Sequence, residues 1–237
     1  MQVVTLLCFI VWSFESFQVG SRFFDALFYA DDNMSTLGML NWTFWLLSSL
    51  LVTIFFALLF IKQRFQRGGN SVSVTAELVG ISWLCLLVEQ LYRLFEYGIY
   101  SWHPILNLLF IAALAVSFFS IGFKKYFTHK VSIALFLILA VVLFLRAFIF
   151  GYYVFTSEVF YYSGNITWIL QTIFLINLDV ILESIRSEDA FGEAQEFLRF
   201  ALQFWVAASS LITAIFFFFL AQEIHQKTKA VQSHSRR

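Results

Sequence analysis

The chain has 237 residues, 60% of them hydrophobic and 13% charged, with 15 Lys+Arg against 15 Asp+Glu. Soluble domains carry about 45–50% apolar and about 25% charged residues, so this composition excludes a soluble globular domain and marks an integral membrane protein. Zero net charge leaves no basic face for nucleic acid, and one proline with ten glycines excludes collagen-like and low-complexity classes.

A helix needs about 20 mostly apolar residues to cross a bilayer. Seven stretches meet that demand, in a single transmembrane domain over residues 1–226 with a short basic tail at 227–237. The first is Val3–Phe23, interrupted by Glu15. Its opening, Val3–Val11, has the length of a signal-peptide core, but no Lys or Arg precedes it, which favours a retained helix. The second, Leu40–Ile61, lies in an uncharged run from Asn33 to Ile61. Gly68-Gly69-Asn70-Ser71 breaks the chain before the third, Val74–Tyr97, which carries Glu89, Arg93 and Glu96. Pro104, where a missing N–H costs nothing, precedes the fourth, Ile105–Phe123. The fifth, Val131–Phe155, carries Arg146. Ser163-Gly164-Asn165 separates it from the sixth, Ile166–Ile185, with Asp179 and Glu183. The polar stretch 184–199 leads to the seventh, Glu196–Glu223. These runs are continuous and lack the alternation of barrel strands. The expected fold is therefore an all-α polytopic bundle of about seven transmembrane helices, with six plus an interfacial segment as the alternative.

Positive charge in short loops marks the cytoplasmic side. Lys62, Arg64 and Arg67 follow the second span, and Lys124, Lys125 and Lys130 follow the fourth. The N-terminus is then inside. Seven spans would leave the C-terminus outside, yet the tail holds Lys227, Lys229, Arg236 and Arg237, which prefer the inside. A sixth segment that does not cross would remove the conflict.

Ionisable residues inside a bilayer are costly and turn inward. Counted at about 1.5 Å per residue, Glu15, Glu89, Arg93 and Arg146 share a layer just outside the midplane. Glu89, Arg93 and Glu96 share one helix face, and Asp179 belongs to the inner half of the sixth span. These six residues are the candidates for a binding site or an ion pathway. The competing reading makes Glu89–Arg93 and Glu15–Arg146 buried ion pairs that fix helix order.

Other chemistries lack their residues. Every lysine lies at a helix end or in a loop, which excludes a retinal Schiff base. The four histidines do likewise, which removes axial haem ligands. Cys8 and Cys85 offer neither a disulfide framework nor a zinc site. No nucleophile stands near a base and no glycine-rich phosphate loop occurs, so no enzymatic activity, metal or cofactor is expected. Small residues at Ala113, Ser117 and Ser120, and at Ala207, Ser210, Ala214 and Ala221, form faces that permit close helix approach. Other membrane subunits, or a second copy of the chain, would pack there. Phe216–Phe219 reads as lipid-facing bulk, and Trp42, Trp45, Trp102 and Trp168 as an aromatic belt at the outer boundary. The functions that remain are a small channel, transporter or solute-binding bundle, a structural subunit of a membrane complex, or a sensor module acting through a partner.

Overall fold

The computed structural model describes residues 1–28, 36–65, 70–97, 103–123, 128–156 and 188–234. They form α1 (Gln2–Phe28), α2 (Thr36–Phe65), α3 (Ser71–Tyr97), α4 (His103–Gly122), α5 (His129–Thr156) and α6 (Glu188–His234), with no strand among the described residues. Each helix contains, or nearly contains, an apolar run read from the sequence. In lipid the backbone must satisfy its own hydrogen bonds, so such runs become helices. Five helices are long and apolar enough to cross a membrane, and α4 has a shorter apolar stretch, Asn107–Gly122. The described residues thus make a helical membrane bundle of six helices rather than seven. The expected span Ile166–Ile185, with Asp179, lies outside the described residues.

The six helices close into a ring. Each packs on its neighbours in sequence, and α6 packs back on α1. Their directions follow from side-chain partners. Along α1, Cys8, Trp12 and Glu15 meet Ile212, Thr213 and Ser209, and Phe14 stacks on Trp205, so α6 runs opposite to α1. Phe136 meets Phe217 and Arg146 meets Ser210, so α6 also runs opposite to α5. Met1, Lys62, Val72, Ser120, His129 and Lys227 all line one cavity. The starts of α1, α3 and α5 therefore share one end of the bundle with the ends of α2, α4 and α6.

This arrangement differs from the seven-span expectation in two consequences. Lys227 and Lys229 lie at the same end as Lys62 and Lys130, not at the opposite one. The acidic start of α6, with Glu188, Asp189 and Glu193, points to the far end, not to the side of the basic loops. The physical reason is that a hydropathy count weighs only apolar length, whereas the tail lysines carry an electrostatic preference for the side of the other basic loops.

The interior is layered. Near the basic end, Phe55, Phe118, Phe136, Phe216 and Phe217 are buried. They interlock through edge-to-face and tilted contacts, with Phe55–Phe118 centroids 5.1 Å apart and Phe136–Phe217 5.5 Å apart, the geometry ring quadrupoles prefer. Above them Trp83 sits between Trp12 and Trp45, at 6.5 and 6.3 Å. Trp45 is thus half-buried and packed against the core. The four-phenylalanine run also splits, because helical period sends Phe216 and Phe217 inward and leaves Phe218 and Phe219 exposed. Of the small-residue faces, Ser117, Ser120, Ser210, Ala214 and Ala221 are buried within the bundle, and Ala113 and Ala207 are half-buried.

Candidate functional site

Past the tryptophan layer, α1, α5 and α6 bring two opposite charges into the bundle. Glu15 is 0% exposed and Arg146 is 3% exposed. Ser209 donates its hydroxyl to Glu15 Oε2, and Arg146 Nη1 donates to Ser210 Oγ at 2.9 Å. Adjacent serines on α6 thus hold one charge each. They can do so because successive helical residues diverge by about 100°, which aims one toward α1 and the other toward α5.

The guanidinium is also enclosed by rings. Its carbon lies 3.8 Å from the Phe110 centroid, 5.3 Å from Phe150 and 5.7 Å from Trp45. A cation over a ring within about 6 Å gains about 2 kcal/mol or more when desolvated. Three rings therefore replace part of the lost hydration of Arg146, where a carboxylate in direct contact would otherwise be needed.

Glu15 and Arg146 act on each other electrostatically but form no direct ion pair among the described residues. Each keeps an open position. Glu15 Oε1 and Arg146 Nη2 are buried without a hydrogen-bond partner, as are both side-chain polar atoms of Gln18, Ser48 Oγ and Trp45 Nε1. The Trp45 indole N–H approaches the Glu15 carboxylate without reaching hydrogen-bond geometry. Gln18 lies one turn beyond Glu15 on α1, and Ser48 one turn from Trp45 on α2, so these atoms crowd one region of the ring. More than nine-tenths of buried polar groups in proteins are paired. A concentration of unpaired ones next to two charges is therefore the distinguishing feature of this bundle.

A second polar group lies farther toward the non-basic end. Arg93 pairs with Glu89 on α3, and Gln90 Nε2 donates to Glu89 Oε2 at 3.0 Å and to Asn41 Oδ1 at 2.7 Å. Asn41 is one turn, or about 6 Å, from Trp45 along α2. The shared layer expected from depth is thus two adjacent layers. The Glu89–Arg93 pair is made within one helix and cannot fix helix order; in this layer the polar tie between α2 and α3 is the Gln90–Asn41 bond. Arg93 is 31% exposed at its side chain, and Glu96 is exposed, so both belong to the rim. Asp179 lies outside the described residues. The sequence reading missed Gln18, Trp45, Ser48, Ser209 and Ser210. Serines and tryptophans are common in membrane helices, and only the inward face of a known ring singles these out.

Comparison with protein-family models, with curated proteins and with solved structures finds no match. Among the described residues no three His, Cys, Asp or Glu side chains converge as metal ligands. The chemistry of the centre is one buried anion, one ring-enclosed cation, and unpaired donors and acceptors on neighbouring helix turns.

Proposed function

We propose that the protein is a membrane bundle that binds and passes a small polar solute at the Glu15–Arg146 centre. One observation carries this reading. Both charges are buried, and each retains an unpartnered atom, Glu15 Oε1 and Arg146 Nη2. A purely structural pair gains from burial only when its geometry is good and its remaining lone pairs and protons are satisfied. Here each group is bonded to its own serine on α6, and each still has a polar atom to offer a guest. A guest with both a donor and an acceptor, such as water or a small zwitterion, complements both groups. The reading assigns no bond-breaking chemistry to the chain.

The test uses the full chain in phosphatidylcholine vesicles, with glycerol, urea and glycine as probes and light scattering as the readout. At least one solute should equilibrate faster than in protein-free vesicles. That acceleration should vanish in Glu15→Gln, provided the variant keeps its helical circular dichroism. No acceleration for any of the three solutes, or acceleration that survives in both Glu15→Gln and Arg146→Gln, would sink the reading.

A further inference from the structure

A cavity of about 850 Å³ occupies the basic end of the bundle. Ligand sites in proteins span about 300–1,000 Å³ and are mostly apolar with a few placed polar groups. Residues of all of α2 to α6, together with Met1 just before α1, line it. The cavity therefore lies on the axis of the ring and opens at its end, not on a flank where bilayer lipids pack.

Its polarity is graded, and the same gradient is written into three helices. On α2 the lining passes from Phe55 through Leu59 to Lys62. On α6 it passes from Phe216 through Leu220 to Glu223 and Lys227. On α5 it passes from Phe136 through Ser132 to His129. Each series follows one helix face at intervals of three or four residues, with the apolar residue deep and the ionisable one at the mouth. The deep end is closed by the Phe118 and Phe217 rings packed on Phe55 and Phe136. Phe136 precedes Arg146 by ten residues, about 15 Å of helix, so the cavity is blind and separate from the charged centre.

Charge at the mouth selects the head group. Glu223 is engaged by Lys227 at 2.6 Å, which neutralises the one carboxylate among the described lining residues. Lys62 is exposed and makes no ion pair among the described residues. An apolar shaft beneath a lysine fits a molecule with one long apolar tail and one anionic head. We infer that this cavity binds a single-chain carboxylate amphiphile, a long-chain fatty acid, with its carboxylate at Lys62 and its tail against Phe55, Phe136 and Phe216. The inference is independent of the solute reading of Glu15 and Arg146.

The experiment places the full chain in phosphatidylcholine nanodiscs with a palmitic acid analogue carrying a diazirine near the end of its tail. Crosslinks should map to the segments around Phe136 and Phe216. Palmitate should compete, while hexadecanol and phosphatidylglycerol should compete at least about tenfold less well. One charge-assisted hydrogen bond corresponds to about tenfold in affinity or more, so Lys62→Gln should weaken labelling by about that factor. Its exposed position keeps folding out of the comparison. Leu59→Trp, which fills the shaft, should abolish labelling; if that variant does not fold, the Lys62→Gln and competition results decide. Crosslinks confined to the outward residues Val141 and Phe148 would overturn the inference. So would equal competition by hexadecanol, which removes the head-group requirement, or by phosphatidylglycerol, which assigns the site to bilayer lipid.

Discussion

At the scale of single residues, the exposure of the arginine separates two charged groups: Arg146 is 3% exposed, whereas the Arg93 side chain is 31% exposed. Glu89 and Arg93 are spaced i,i+4 and advertise an ion pair locally; Glu15 and Arg146 are 131 positions apart and are linked in the sequence only by their similar depth. The structure reverses their weight. Removing one partner of a fully buried opposite-charge set strands the other, at a cost of about 3–5 kcal/mol. Arg146→Gln should therefore lower thermal stability in detergent strongly, and Glu15→Gln with Arg146→Gln should recover part of the loss. Glu89 is also buried, at 7% exposure, but Glu89→Gln should cost less than Arg146→Gln, because the Arg93 it leaves behind is 31% exposed at its side chain and Gln90 still holds Asn41. Equal losses in Arg146→Gln and Glu89→Gln would contradict this ranking. The charges themselves were legible in the sequence, since any ionisable residue in an apolar run stands out. Their partners were not. Ser209, Ser210 and Trp45 are ordinary membrane-helix residues until the ring brings them to Glu15 and Arg146.

At the scale of helices, apolar length located the elements well. The expected Val74–Tyr97 is observed as Ser71–Tyr97, and Val131–Phe155 as His129–Thr156. Hydropathy could not say which face turns inward, because lipid and core are both apolar, and so Phe216 and Phe219 look equivalent in sequence. Packing detail at the α3–α4 contact was equally hidden. A Cβ placed on Gly122 would lie 2.4 Å from Glu77 Cγ and 3.3 Å from the Ser73 carbonyl oxygen, and Ser73 Oγ already donates to the Gly122 carbonyl at 2.8 Å. One placed on Gly151 meets nothing within 4 Å. Gly122→Ala should then destabilise by about 1–3 kcal/mol, the usual cost of overpacking, while Gly151→Ala should be neutral or slightly stabilising through helix propensity. Melting temperatures of the two variants should fall in that order, and the reverse order would refute the close approach of α3 and α4.

At the scale of the whole molecule, the ring fixes which helix ends lie together. Thr128 and Gln226 belong to the basic end, and Glu96 to the other. In a background lacking Cys8 and Cys85, Thr128→Cys and Gln226→Cys should react with an impermeant maleimide from the same side, the cytoplasmic one by loop charge. Glu96→Cys should react from the opposite side. Labelling of positions 128 and 226 from different sides would break the antiparallel ring. The sequence held both halves of this result in conflict: apolar runs counted to seven, and the basic tail asked for an even number of crossings. The tail had the stronger physical claim, because charge placement discriminates between the two sides of a membrane and apolar length does not.

The indole cluster gives the molecule a built-in optical probe. Trp12, Trp45 and Trp83 are three of its seven tryptophans, and Trp83 holds the other two at 6.5 and 6.3 Å with ring planes inclined by 75° and 69°. Chromophores so close and so steeply crossed share their excited states, and the asymmetry of the cluster makes that sharing visible as near-ultraviolet circular dichroism. Trp45 also stands beside the Arg146 cation, whose field shifts the energy of an indole transition. Events at the charged centre are thereby transcribed into the protein's own absorption and emission, without an attached dye.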